Sequence, residues 1–559
     1  MKTRKLGIFL SAVASLSLVS CNDFLDLEPT DSQSDELVWA TQKNAQLAAN
    51  YMYMWVGDRG QYWNIESLAG MTEGLTDQLK YSDMTYNSNC YIPNEIAYGG
   101  SVITPTYVEA YLGTWSRMYG QIARANEAIY KLRKFGKFDA AQMAEVEAEF
   151  RFFRAFCYFE LAKKYGDVVL YDENMDAYTQ NTPLTAEADV YEFIYQDLKF
   201  AGENLPTSTV PNGRLTSGAA YAFMSRAMLY AERWADAKDA AAKVCGGADA
   251  GFVSPMGYAF PSDLRTPFTE GGTGAILQYC YNLQAETHSF DNMYAPAGDK
   301  AAFGNNLTGG YATPTQEMVE SFEYADGGFP DWSTWHAEGV TEEPPFAELE
   351  PRFQATILYN GATWKGRTIE PCKDGADGSA TWMVDTKPEG KTVTGYYLRK
   401  LVDENHDYTT DTRSTSPWTA IRYAEVVLNY AEACAELGET SNALAAVNAI
   451  RTRAAVGLPE VTGVSGESLM AAIRQERKVE LAYEGQYYWD MRRWGLAETA
   501  FTGIRVHGLK VEKVGESFKY TYIECDNQNR NYAKKMNRFP IPLSELENNK
   551  SVTQFPEWN

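Results

Sequence analysis

Apolar residues along this chain recur mostly at three- and four-residue steps, which predicts a protein built from amphipathic helices. The steps run through 36–54, 107–135, 140–165, 190–205, 216–232, 235–244, 423–437, 442–456 and 469–484. Within 140–165 the stripe is Val146, Phe150, Phe153, Phe156, Cys157 and Leu161, a pattern that belongs to a core face. Asp139 stands at the expected N-cap, Glu147 and Arg151 are spaced to pair across one turn, and Gly166-Asp167 ends the run. Pro206 and Gly246-Gly247 stop later helices. Helices joined by short turns, with Ala at the close contacts, predict antiparallel pairs of the tetratricopeptide kind.

Two stretches break the pattern. Residues 55–100 are loop-like and full of Gly, Asn, Tyr and Trp, and about 250–416 is rich in Gly, Pro, Asp, Thr and aromatics. Strand-like pieces occur in the second at 275–281, 355–359 and 392–400. The expected division is a leader over 1–20, a helical region over 21–249, a loop-rich α+β insertion over 250–416, and a helical region with a tail over 417–559. The predicted fold is mostly α: four tetratricopeptide-like helix pairs forming one scaffold, interrupted by an irregular α+β insertion. Binding concentrates on loops held by rigid elements, so the insertion is the predicted ligand-binding region.

The stretch 469–495 carries the densest charge pattern. Glu476, Glu480 and Glu484 are four apart, which stacks three carboxylates on one helix face, where they repel unless cations join them. Arg474, Arg477, Lys478, Arg492 and Arg493 are near in sequence and are the expected partners. The cluster reads either as acid–base or metal chemistry or as a structural ion network, and the Arg-rich surroundings favour the network. Gly485 fits a left-handed helix end, and 487–494 begins a second short helix.

The start of the chain adds an address. Lys2, Arg4 and Lys5 precede an apolar run over 6–19 that is too short to span a membrane. Leu18-Val19-Ser20-Cys21 resembles a bacterial lipobox, with Cys21 as the lipid-bearing residue. A net charge of −24 argues against nucleic acid and anionic lipid as ligands. The 37 Tyr and 13 Trp suit stacking on sugar rings as well as core packing. The remaining cysteines show no C-x-x-C or metal spacing, and Cys157 and Cys434 fall in helical patterns as buried thiols. The four scattered His residues argue against zinc. Calcium is the one metal left open: Asp403, Asn405 and Asp407 begin like a calcium loop, but Tyr408 and Ser414 replace its Gly and bidentate Glu. A solvated acidic loop is the expected reading. Phosphate loops, H-E-x-x-H and G-x-S-x-G are absent, and 74 acidic residues leave a glycosidase pair unassignable from sequence.

Against this background E476-R-K-V-E-L-A-Y-E-G-Q-Y-Y-W-D-M-R-R-W-G495 resembles the C-terminal signature of the SusD/RagB family, surface nutrient-binding lipoproteins of Bacteroidetes. The family pattern is E-R-x-x-E-L-x-x-E-G-x-R-x-x-D-L-x-R-W-G; Tyr487 stands in place of its Arg and Met491 in place of its Leu, while Asp490 and Arg493 match. Further resembling pieces are 65–77, 146–155, Lys164-Tyr165-Gly166-Asp167, Asp197-Leu198, Thr313-Pro314-Thr315-Gln316, Glu350-Pro351-Arg352-Phe353, Thr394-Gly395-Tyr396-Tyr397, 421–426, Phe539-Pro540-Ile541-Pro542 and Trp558. Phe555-Pro556-Glu557 departs from the family's N-P-G.

The resemblance implies a lipid-anchored, outward-facing outer-membrane protein that captures a glycan for a SusC-like TonB-dependent transporter, without turnover, catalytic residue or cofactor. A peptide ligand, as for RagB-type relatives, is the alternative; a protein-binding scaffold and a secreted glycoside hydrolase are further ones. In the family the ligand face combines the loop after the first helix with the insertion, here 55–100 and about 281–382. Within these stretches Trp332, Trp335, Tyr81, Tyr86 and Tyr91 are the candidate platforms, and Asn89 and Asp331 the candidate polar partners. Trp332 and Trp335 form the foremost pair, because 330–336 reads as an exposed turn.

Overall fold

The computed structural model describes residues 35–58, 70–82, 88–207, 213–299, 309–378, 392–407 and 410–559. The leader and Cys21 lie outside them. The main helices are α1 (Gln42–Asp58), α2 (Ser88–Tyr98), α3 (Trp115–Phe135), α4 (Ala140–Tyr165), α5 (Glu187–Asn204), α6 (Ser217–Tyr230), α7 (Trp234–Cys245), α8 (Tyr423–Glu436), α9 (Thr440–Arg451), α10 (Glu467–Glu480) and α11 (Tyr487–Arg493). From α3 to α10 each helix packs on its predecessor, giving the pairs α3/α4, α5/α6, α7/α8 and α9/α10. α7 lies against α8 although the whole insertion separates them in sequence.

Local chemistry sets the helix ends. The Asp139 carboxylate accepts from Ala141 N and Gln142 N to start α4, and Gly166, at φ +69°, ends it. Arg151 Nε donates to Glu147 Oε1 at 2.8 Å, one turn apart. From Val146 onward α4 is buried on nearly every face, because α1, α3 and α5 all pack on it. Arg154 in its middle is therefore held by Asp197 of α5 at 2.7 and 2.9 Å. Small residues allow the close approach of α5 to α6: a Cβ on Gly202 would sit 2.6 Å from the Tyr221 ring.

The strands are short: β1 (Leu79–Tyr81), β2 (Ala275–Tyr279), β3 (Ala312–Pro314), β4 (Trp418–Arg422), β5 (His507–Val514) and β6 (Ser517–Glu524). β2 pairs antiparallel with β4, so the sheet stitches the entry of the insertion to its exit directly ahead of α8. β1 pairs with β3, joining the loop after α1 to the insertion. β5 and β6 form a hairpin that periodicity had not announced. The hydrophobic interior is split: one core fills the helix pairs, and a second fills the insertion with Phe353, Trp364, Tyr396 and Tyr397.

α10 lies where the two cores meet. Leu469, Met470 and Ile473 belong to the scaffold core, while Val479, Ala482 and Tyr483 belong to the insertion core. The helix ends at Glu480 rather than at 484. The chain then turns through Tyr483 at φ +64°, a strained region for a residue with a side chain. Burial of its ring and a hydroxyl bond to Gln78 O at 3.1 Å hold it there.

The carboxylate stripe is a buried ion network, and its cations come from farther away than expected. Arg474 pairs with Glu467, Lys478 with Asp77, and Arg477 and Arg493 with Asp490, while Arg492 Nη2 donates to Asn537 O. Glu476 is met instead by Arg352 and by Arg451 at 3.1 Å. Glu480 is met by Arg352 at 3.2 Å, Arg422 at 2.8 Å and Arg453 at 2.8 Å. Glu484 is met by Lys400 and Arg422, each at 2.6 Å. Glu350 closes on Arg352 at 2.5 Å and Glu323 on Arg451 at 2.7 Å. Five carboxylates thus face five cations from the insertion, β4, α9 and the turn after it.

Burial alone would raise the Glu480 carboxyl, but Arg453, Arg422 and Arg352 outweigh it and hold the group well below the carboxylate range. Glu432 beneath α10 follows the same rule: against burial, Arg493 and then Arg477 bring it down to about 2. Removing one partner from a buried network leaves an uncompensated charge. Arg422→Met is therefore expected to destabilise the protein by roughly 3 kcal/mol or more, read as a lower urea midpoint with an unchanged slope; a midpoint within error of wild type would refute the dependence.

Candidate functional site

The seam between β1 and β3 is where the two expected halves of the ligand face meet. Leu79, Lys80 and Tyr81 stand opposite Pro314, Thr313 and Ala312, and Ser82 N donates to Tyr311 O at 2.9 Å. Gly70 and Gly74 lie flat on the Tyr81 ring; a Cβ at either would come within 2.6 Å of it. The Tyr81 hydroxyl accepts from Met71 N at 2.6 Å and shares a bond of 2.7 Å with Tyr294. Burial pushes that hydroxyl far above its ordinary range.

The floor under the seam is charged and rigid. Arg530 donates to the carbonyls of Gly74 at 3.1 Å and Leu79 at 3.2 Å and to that of Thr76, while Asp526 holds its Nε at 2.7 Å. Lys80 reaches the same Asp526 at 3.4 Å. On the other side, Glu73 Oε1 accepts from Gly485 N at 2.8 Å and Asp77 pairs with Lys478 at 2.9 Å. The first loop is thus clamped from both sides by the C-terminal part of the chain.

The expected platform residues separate into three groups. Trp332, Trp335 and Tyr81 are core residues, 5%, 8% and 1% exposed. Residues 330–336 do form a turn, with Asp331 exposed and accepting from Ser333 N at 3.0 Å, but the turn folds its rings inward. Trp332 and Trp335 meet edge to face at 5.6 Å, Phe346 lies 6.3 Å from Trp332, and Trp335 Nε1 donates to Glu342 O at 3.1 Å. The exposed-turn expectation is corrected: residues 342–346 pass beneath the turn and bury what the local pattern left open. Tyr91, on α2, stays half-buried against the scaffold core. Tyr86 and the Asn89 side chain fall outside the described residues, as does Cys21.

Near Tyr91 a second tyrosine cluster, unforeseen in the sequence, borders the same region. Tyr107 and Tyr111 meet at 4.7 Å with their planes tilted by 59°, and the Tyr107 hydroxyl donates to Glu95 at 2.9 Å. Pro105 opens that helix behind the Thr104 cap, and the i, i+4 spacing of the two rings was the available signal. A separate cleft of about 730 Å³ in the insertion is polar, with Arg265, Lys365 and Arg399 facing Asp263, Glu270 and Glu404.

Among the described residues no group of three or more His, Cys, Asp and Glu is set to hold a metal ion. In the calcium-like loop, Asp403 Oδ1 instead accepts from Asn405 N at 2.8 Å, and His406 turns to Asp291 at 2.9 Å. Cys157 and Cys434 are buried cysteines outside any disulfide, as expected.

A scaffold of tetratricopeptide-like helix pairs that carries a clamped first loop beside an aromatic insertion defines a helical-repeat protein with a loop-built face. A profile of the SusD family matches residues 273–558, and one described as "Starch-binding associating with outer membrane" matches 23–229. The chain belongs to the SusD family. It is 23% identical over 534 residues to SusD-like protein P38 of Formosa agariphila, spanning 92% of this chain and 95% of that one. A SusD-like protein of Bacteroides fragilis superposes with a TM-score of 0.72 at 26% identity, over 94% of this chain and 98% of its own. A laminarin-binding SusD-like protein shares the fold at a TM-score of 0.64 and 21% identity, over 92% and 99%.

Truncating a large buried aromatic costs about 3–5 kcal/mol. Trp332→Ala is expected to lower the melting temperature by many degrees, as is Trp335→Ala; unchanged melting with lost ligand affinity would return both rings to the surface.

Proposed function

We propose that this protein captures a glycan at the cell surface and passes it, unaltered, to a SusC-like TonB-dependent transporter. The observation that carries the reading is the match of both halves of the chain to SusD-family profiles, one of them described by starch binding and outer-membrane association. A relative of the same fold that binds laminarin supports an oligosaccharide ligand. The clamped seam supports a preorganised face, because a loop fixed before binding costs less to order. Tyr91, part-exposed beside the seam, is a stacking group that such a face offers.

Non-catalytic capture fits the electrostatics of α10. A glycoside hydrolase needs one carboxyl raised enough to donate a proton. Glu476, Glu480 and Glu484 each hold two or three cations instead, and Glu480 stays ionised. Anchoring at Cys21 fits the leader sequence and a body in which no described helix is long and apolar enough to cross a membrane.

Affinity electrophoresis of the purified protein through gels containing laminarin or starch is the direct test. Retardation by a glycan with no released sugar is expected; product formation, or binding to peptides alone, would overturn the reading. In cells, Cys21→Ala is expected to move the protein from the outer-membrane fraction to a soluble one, and retention on the surface would remove the lipid anchor from the proposal.

A further inference from the structure

A cavity of about 440 Å³ opens along α3, between the first turns of that helix, the stretch 169–178 and Glu545 of the tail, with no described residue of the insertion in its wall. Its size lies within the range that takes a small ligand. Four aromatic rings line it in a row: Trp115 to Tyr119 at 5.0 Å, Tyr119 to Tyr171 at 5.9 Å, and Tyr171 to Tyr178 at 5.1 Å. Their planes turn by 56°, 79° and 82° from one to the next, so successive rings stand as adjoining walls. Two hydroxyls are already engaged with the backbone: Tyr119 donates to Val169 O at 2.7 Å, and Tyr178 accepts from Asp172 N at 3.1 Å. The rings themselves form much of the cavity wall.

The charged groups on the wall are all of one sign. Asp172 and Glu545 line the cavity, and no Lys, Arg or His does so among the described residues. Glu545 Oε2 accepts from Trp115 Nε1 at 3.4 Å, which sets that carboxylate beside the first ring of the row. The other large cavities differ in kind. The 330 Å³ one carries Arg117, Lys163, Lys164 and Arg226, and the 730 Å³ one carries Arg265, Lys365 and Arg399. We propose that the α3 cavity binds a small organic ammonium cation, its charge between Glu545 and Asp172 and its carbon body against the four rings. Ring faces attract such cations through their quadrupole, and the apolar share of the wall accepts the attached CH groups. A quaternary headgroup of the choline type and the protonated amine of an amino sugar both carry this chemistry.

Calorimetric titration of the full mature protein at constant ionic strength tests it, using choline, glucosamine and their neutral counterparts 3,3-dimethylbutan-1-ol and glucose. At least one cation is expected to bind saturably and about tenfold or more tighter than its neutral counterpart, the margin one good cation–π contact supplies. Glu545→Gln is expected to remove that margin with the melting temperature unchanged, and Tyr178→Ala to weaken the cation at least several-fold. Saturation by choline alone assigns the site to quaternary headgroups, and saturation by glucosamine alone to amino sugars. Equal binding of the neutral compounds, no saturation by either cation, or full affinity in Glu545→Gln would overturn the proposal. Because Glu545→Gln acts only here, a glycan bound elsewhere would be unaffected by it and would be recognised as such.

Discussion

The ion network on α10 is the constraint on which the rest of the structure depends. Desolvating charge is costly, and attraction in a low-dielectric interior offsets it only when every member is matched. Here the match is one for one: Glu323, Glu350, Glu476, Glu480 and Glu484 against Arg352, Lys400, Arg422, Arg451 and Arg453. The cations arrive from the insertion (Arg352, Lys400), β4 (Arg422) and the end of α9 with the turn after it (Arg451, Arg453), so the network forms only when the insertion, β4 and the last helix pair are in register. It contributes less to net stability than its size suggests, yet it penalises misplacement of any of these parts. Three of the stretches that resemble the family meet at this junction: Glu350-Pro351-Arg352, Arg422 within 421–426, and the glutamates of α10.

The same junction also holds the seam of β1 and β3. α10 and the turn after it reach past the network to Glu73, Asp77 and Gln78 of the first loop. Arg530 closes on that loop from the opposite side. The seam of β1 and β3 is therefore tied to the most tightly paired part of the molecule rather than left to loop entropy. The tail is tied down in a similar way: Arg538 reaches Asp167 at 2.7 Å and Tyr165 O at 3.0 Å, and Phe539 N donates to Lys164 O at 2.8 Å. Two motifs that lie far apart in sequence, around 164–167 and 539–542, prove to be one contact.

Helical periodicity by itself determined the scaffold, because an amphipathic helix writes its buried face into residues three and four apart. The caps at Asp139 and Gly166, the Glu147–Arg151 pair and the structural character of the glutamate stripe were equally local. The long-range facts were decided only by the tertiary structure. Trp332 and Trp335 occupy a turn whose sequence is that of a surface turn, and a strand of chain ten residues on buries them. The cations for Glu476, Glu480 and Glu484 lie up to 128 residues away, and the aromatic cavity on α3 needs rings from 115–119, 171–178 and a carboxylate at 545. Turn and helix signals act over a few residues of backbone, whereas burial and charge pairing depend on which distant segment arrives to cover a side chain.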